Sequence, residues 1–594
     1  MKNIPWILFI IFAGFNCIAC NDDKNEITLI IEETSIFFES HEAQEKQISI
    51  TTNALSVNIE IPVLDQEWCS AKRAGDAIII SVKENRSIES ARTTSVIITA
   101  EGTASRTIKV SQQGRKTNSE IGITSFVIPA KLNNLTNDIN GIINNEEQTI
   151  TLTSSEWIPN IKNLIVSFVA LGGVSVNGKE QVSGVTANSF FNELKYVIKK
   201  DNGITVDYDI ICVGPMFTGL PVMSVNIDGG LEVVEKTTKL PAVFSLSVPN
   251  EDAIDMNSTV VTIRGRGNST WAKPKKPYRI DFPDKTPLFH LPAAKKWVLL
   301  ANYNDPTLLM NDVTFELARQ MKIPFTHSSI HVELFLNGTY RGNYVLTEQN
   351  EIGEGRVNID KTKGFLMEMD TNYDENYKFK SQYLNLPMMV SDPEPKDESG
   401  FNYIKTTMQN LESSLFESNF PNNKYEEYTD VNSLIDLILV NEIVQNAEVR
   451  HPKSLFCYKN GDSKIMWGPL WDFDLAFGHD YDDTKKYFEH SILLFYQKNE
   501  DYRTGSKFFS RFFEDPQFRA KYKARWNEIK PLVLDLPNYI DMMSAKLMKS
   551  QAENFKIPAA LPPSQNLSYQ ELISQMKSWI NNRVAFLDEK INKF

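Results

Sequence analysis

The carboxylates in the stretch GPLWDFDLAFG, residues 468–478, are the first candidates for chemistry. Asp472 and Asp474 stand two apart among aromatic residues, and a glycine closes the run. Three readings fit that spacing: a metal site, a catalytic carboxylate pair, or a strand end carrying two solvated acids. A hard cation that bridges phosphates needs carboxylate oxygens, and Asp472 is placed for that role. Upstream, Glu448 in NEIVQNAE supplies an acid that could orient or deprotonate a hydroxyl acceptor. Lys453 in the following VRHPKS could contact a phosphate, whereas His451 in the same loop reads as polar surface.

Basic residues gather earlier in the chain. IRGRGNSTW carries Arg264, Arg266, Asn268, Ser269 and Trp271, and KPKKPYRIDF carries Lys275, Lys276 and Arg279. A glycine-broken strand turn allows the backbone to approach a ligand closely. Arginine and lysine beside it suit an anion such as a phosphate. The competing reading is a solvated strand face whose charges block edge pairing. KKWVLLANYNDPTLLMND adds Asn302, Asn304, Asp305 and Asn311, with Asn and Asp before Pro forming a helix-starting turn or a simple cap. LFLNGTYRGNYVLTEQ predicts a hairpin turning at Asn337-Gly338.

These residues need elements to hold them. The helix SLIDLILVNEIVQNAE precedes the loop VRHPKS, the strand LFCYKN, a GDS turn and the strand KIMWGPLWDFD. Helix, acid-bearing loop, hairpin and Asp-aromatic-Asp is the order found in the C-terminal half of protein kinases. From about residue 221, strands such as TVVTIRGRG, KPYRIDF and KKWVLLANY alternate with helical patterns such as LLMNDVTFELARQM. Beyond about residue 500 the chain is mostly amphipathic helix, including SKFFSRFFEDPQFRAKYKARWNEI and YQELISQMKSWINNRVAFLDEKI.

The 594 residues exceed one domain, and 42% hydrophobic with 11% aromatic content excludes disorder as the main state. A net charge of −13 argues against a general nucleic-acid binder. Residues 1–19 read as a signal peptide, and CIAC, ending at Cys20, resembles a bacterial lipobox. That resemblance implies cleavage before Cys20 and lipidation of its thiol. NDDKNE follows in the tether, residues 20–26, and resembles the surface-export signal of lipoproteins in bacteria of the Bacteroides type. An outer-membrane, cell-surface location held by lipid alone is therefore expected. Cys69, Cys212 and Cys457 lie far apart and are expected to be free, mostly buried thiols.

The fold class expected is multidomain: two all-β Ig-like sandwiches, then an α+β divergent protein-kinase-like domain with a helical C-terminal part. Residues 27–115 are short β-branched runs with the spacing of an antiparallel sandwich. EWCSAKRAGDAIIISVKEN with the closing IKVSQQG resembles BACON domains, read here as a spacer. The polar RKTNSE links it to a second Ig-like sandwich over residues 119–215, and the two in series should act as a stalk for residues 221–594.

The ordered set RGRGNSTW, KKPYRIDF, KKWVLLANYND, ELFLNGTYRGNYVLTEQ, NEIVQNAE and GPLWDFDLAFG resembles the CotH family, atypical protein kinases of the spore-coat type. The resemblance spans roughly residues 221–590 and implies a divergent kinase-like fold. It also implies ATP, a divalent cation (Mg²⁺ or Mn²⁺), and transfer to a Ser, Thr or Tyr hydroxyl of an acceptor protein. Asp472 maps to the metal-binding Asp, with Asp474 and Asn441 as further members. Asp472 and Glu448 are the expected catalytic pair, and Arg264, Arg266, Lys276, Arg279 and Lys453 the expected nucleotide-binding set. Glu448 stands where active members carry Asp, and its extra methylene moves the carboxylate by about one bond length. The Gly-rich loop and VAIK-type lysine of ordinary kinases are absent, which leaves the phosphate lysine open among Lys275, Lys276 and others. Two other classes stay open: a stalked binding protein that recognises a glycan or host protein without turnover, and a glycoside hydrolase pairing Asp472 with Glu448 or Asp474. A monomer is expected, since the lipid anchor and stalk work with one.

Overall fold

The computed structural model describes residues 27–54, 56–85, 87, 90–114, 122–200, 203–478, 490–495, 503–560 and 567–594. The expected signal peptide, the tether with Cys20, and the RKTNSE linker lie outside the described residues. Among the described residues, no helix is long and apolar enough to cross a membrane.

The first β block pairs a four-stranded sheet (Ser35–Phe38, Arg106–Gln112, Arg92–Thr99, Asn58–Glu60) with a three-stranded one (Gln44–Ser49, Ala77–Val82, Cys69–Ala74). Alternate residues turn inward, so Phe38, Ile78, Ile80, Val96, Ile98, Ile108 and Val110 form one core between the sheets. Cys69 and Cys457 are buried free thiols, and Cys212 is a half-buried one.

The second block holds a six-stranded and a three-stranded sheet around their own core. That core also takes in Val222 and Phe335 from the next unit. Trp157 meets the Phe335 ring edge-on at 5.6 Å, and Lys162 bridges to Asp252 and Asp255 at 2.6 and 2.8 Å. The second segment of the expected stalk is thus packed onto the unit that follows, because its apolar face is completed there.

That unit opens with a closed barrel rather than alternating strands and helices. Its strands, in order of pairing, are Val222–Ile227, Leu240–Ser247, Met256–Gly265, Tyr278–Thr286, Ala294–Leu300, Thr339–Glu348 and Ile330–Leu336. Parallel pairing of the first with the last closes it. Helix Met310–Gln320 is the α-helix that interrupts it among the described residues. The hairpin turns at Asn337 and Gly338, both at positive φ, as a two-residue turn demands. Trp297, Phe244, Ile263 and Leu334 fill the barrel interior.

A five-stranded sheet follows, ordered Lys378–Lys380, Pro387–Asp392, Gly364–Met369, Leu455–Asn460, Met466–Trp467. Helix Val431–Ile443 packs on it, started by Asp430, whose side chain accepts from the Ser433 amide. The helical tail comprises Thr504–Phe512, Pro516–Asn554 and Tyr569–Ile591. The pattern expected to run unbroken through SKFFSRFFEDPQF divides at Asp515-Pro516. Asp515 caps the second helix and Pro516 takes its first position.

Lys275 is buried where the barrel meets the long helix, and donates to the Asn343 carbonyl and, at 2.8 Å, to Asn554 Oδ1. Burial pushes its pKa down to about 7, with Glu333 opposing the shift. Between about pH 7 and the ordinary lysine range near 10.4, the unfolded chain then binds more protons than the folded one, so stability rises with pH. Denaturant melts at pH 7 and 9 should show that rise, and Lys275→Met should flatten it.

Candidate active site

The acids of the opening motif sit in a cleft between the barrel and the five-stranded sheet. Its walls include Arg266, Asn302, Tyr303, Asn311, Glu368, Asp370, Glu448, Lys453, Trp471, Asp472 and Asp474. Phe473 is fully buried against Phe315, at 6.0 Å between ring centroids. Trp471 packs on His327 at 4.6 Å and carries the Arg266 guanidinium 5.3 Å from its ring centre. The strand expected to run through WDFD ends at Trp467, so strand alternation does not aim these side chains; Phe473 is anchored inward, and Trp471, Asp472 and Asp474 line the cleft.

Asp472 has φ 66, a left-handed conformation that aspartate tolerates better than most residues. The strain is held by its neighbours. Asn446 Nδ2 donates to the Asp472 carbonyl at 3.4 Å, and the Phe473 amide donates to Asn311 Oδ1 at 2.9 Å. Ser454 Oγ donates to Asp472 Oδ2 at 3.2 Å. Asp474 is buried and accepts from Asn304 Nδ2 at 3.1 Å. Burial, then the charges of Asp472 and Glu448, holds its carboxyl well above the usual carboxylate range.

Glu448 is 4% exposed on a short 3₁₀ turn, Ala447–Arg450, that Asn446 caps by accepting from the Glu448 amide. Lys453 Nζ lies 4.0 Å from Glu448 Oε1. Asn446 therefore ties the acid-bearing turn to the Asp472 backbone. Its role is not evident from NEIVQNAE, where Asn441 looked the better candidate.

Four of the expected site residues do not line this cleft. Asn441 is turned along its own helix, donating to the Leu437 carbonyl and accepting from Asn446. Arg264 donates to the Lys236 carbonyl, and Arg279 pairs with Asp281 at 2.8 Å across the barrel surface. Lys276 lies over Trp271 and donates to its carbonyl at 2.7 Å. Lys275 is in the buried junction described above. Among the expected cations, Arg266 and Lys453 reach the cleft wall. Burial works against the Arg266 charge, and Asp472 and Glu368 support it. The glycines of RGRG also have a protein partner: a Cβ at Gly265 would strike the Trp271 ring.

Glu368 and Asp370 complete the acidic wall, although GFLMEMD signalled only a strand. Burial, reinforced by Asp370 and Glu375, raises the Glu368 carboxyl far above its ordinary range. Asp370 is raised by burial against amide bonds from Asn372 and Ser454. Among the described residues, no group of three or more His, Cys, Asp or Glu side chains is set to hold a metal by itself. Mg²⁺ commonly takes one or two carboxylates plus substrate phosphates, and the Asp472–Asp474 pair fits that donor set.

The family described as CotH kinase protein matches residues 263–587, more than half of the 594-residue chain. The chain belongs to the CotH kinase family, and every cleft residue named above falls within the match. None of the curated proteins matches it. Among solved structures, a Bacteroides ovatus xyloglucanase in complex with a heptasaccharide is 20% identical over 16% of this chain, which spans 20% of the enzyme, with a TM-score of 0.13. A Bacteroides thetaiotaomicron protein solved by NMR is 13% identical over 18% of this chain and 100% of its own, and a titin tandem 10% identical over 43% and 94%, each with a TM-score of 0.13. At such scores these likenesses carry no argument about fold or function.

Proposed function

We infer that the cleft transfers the γ-phosphoryl group of ATP to a hydroxyl of an acceptor protein, with a divalent cation. The observation that carries this reading is the meeting of Glu448, Asp472 and Asp474 with Arg266 and Lys453 in one cleft inside the family match. Asp472 and Asp474 would hold Mg²⁺ or Mn²⁺, which neutralises phosphate charge when bound. Glu448 accepts the hydroxyl proton. A bond forms from the acceptor oxygen to the γ-phosphorus, the bond to the bridging oxygen breaks, and ADP leaves. Arg266 and Lys453 offset charge on the phosphate oxygens.

Glu448→Gln keeps the shape of the turn and removes the base. Transfer from labelled ATP should fall by about 10²–10⁴-fold while nucleotide binding persists. Equal transfer by the variant would remove Glu448 from the reaction. The Glu in place of Asp favours a second reading, a kinase-like binding protein without turnover that recognises a glycan or host protein. Nucleotide binding with no transfer to any acceptor would support it.

The same inference extends to location. Cys20 is lipidated, the chain is displayed on the outer membrane, and the first β block spaces it from the surface as a BACON-like module. The leader and lipobox sequence support this, and fatty-acid labelling lost in Cys20→Ala tests it.

A further inference from the structure

Deepening the nucleotide reading just given, we propose that the carboxamide of Asn302 contacts the phosphate end of the bound nucleotide. Asn302 follows the barrel strand Ala294–Leu300 and belongs to a polar run that builds one side of the cleft. Its polar neighbours are committed elsewhere. Asn304 donates to Asp474, and Asn311 accepts from the Phe473 amide. Asp305 accepts from Thr307 and, at 2.7 Å, from the Met310 amide, which fixes the start of the helix.

Asn302 differs. It is 6% exposed and lines the cleft, yet neither its Nδ2 nor its Oδ1 has a hydrogen-bond partner. A buried amide that forgoes all its hydrogen bonds opposes folding unless something fills them. The backbone is also held at φ 49, which directs the side chain from a conformation asparagine accepts and most residues avoid. Asn304 and Asn311 bind the Asp472–Asp474 segment, so the run containing Asn302 borders the end of the cleft where the acids lie. A phosphate oxygen there can accept from Nδ2, and Oδ1 suits a hard cation or its water.

The test uses the full chain, the variants Asn302→Gly and Asn302→Asp, and calorimetric titration with ATP and with adenosine, each with and without Mg²⁺. Glycine accepts the left-handed backbone and removes the amide, and aspartate keeps shape while adding a charge that repels phosphate. Asn302→Gly with Mg²⁺, and Asn302→Asp without it, should each lose about tenfold or more in ATP affinity, a change of about 1.4 kcal/mol. Adenosine affinity should stay unchanged, and the ligand-free melting temperature of Asn302→Gly should not fall. Unchanged ATP affinity, or an equal loss for adenosine, would overturn the proposal while leaving the nucleotide reading intact. A large drop in the ligand-free melting temperature of Asn302→Gly would assign Asn302 a structural role instead. Failure of the unmodified chain to bind any Mg-nucleotide would remove the nucleotide reading itself, and this contact with it.

Discussion

Asp472→Asn should eliminate phosphate transfer, by about 10³-fold or more, with little loss of folded stability. Asparagine shares aspartate's tolerance of the left-handed conformation found at φ 66, so the backbone is preserved. Ser454 Oγ and the Asn446 contact to the backbone carbonyl can both persist. What disappears is the negative charge that would hold the cation, a loss of several kcal/mol of transition-state stabilisation. Alanine would be the poorer choice, because it would add backbone strain to the loss of charge. Transfer assays with ATP and Mn²⁺, paired with melting curves, separate the two effects. A variant that melts normally and still transfers at the original rate would remove Asp472 from the site.

The largest expected effect on stability lies behind the cleft. Arg583 and Glu442 are 1% and 3% exposed at their side chains, and Arg583 Nη2 lies 2.8 Å from Glu442 Oε1. Arg583 also donates to the Glu442 carbonyl and to the carbonyls of His490 and Ile492, while Glu442 accepts from the Leu494 amide. This pair joins the last helix to the helix that leads into the Glu448 turn. Arg583→Met would leave a carboxylate buried without its cation, costing about 3–5 kcal/mol. Melting of this unit should fall by roughly 10 °C. Adding Glu442→Gln, which keeps an acceptor for Leu494 but removes the charge, should recover part of the loss. A single variant that melts as the unmodified chain does would show that the pair contributes nothing.

Local signals read well where they were sufficient to fix structure. The helix pattern YQELISQMKSWINNRVAFLDEKI coincides with Tyr569–Ile591, opened by a Ser568–Glu571 capping box. Asp305 shows why the turn in ANYNDP allowed two readings: it fastens the helix start while Asn302 and Asn311 line the cleft. The basic residues were harder. Lys275 and Lys276 are adjacent, yet one enters a buried polar junction and the other lies on Trp271. Arg264 and Arg266 differ because Arg266 lies beyond the strand end at Gly265, where the chain turns toward Trp471. Sequence spacing does not show which face of a barrel strand meets another unit. Glu368 and Asp370 illustrate the same limit. Strand periodicity places them on one face, but their nearness to Asp472 depends on pairing with Leu455–Asn460, nearly ninety residues away in sequence.

The most direct measurement is phosphate incorporation from γ-labelled ATP by the full chain, with Mg²⁺ and then Mn²⁺, scored on the chain itself and on a panel of hydroxyl-bearing acceptor proteins. The second β block belongs in the sample, because its core is shared with Val222 and Phe335. Metal-dependent transfer that disappears with Asp472→Asn and falls with Glu448→Gln is the expected result. No nucleotide binding and no transfer with either metal would contradict the assignment of this cleft to phosphoryl transfer.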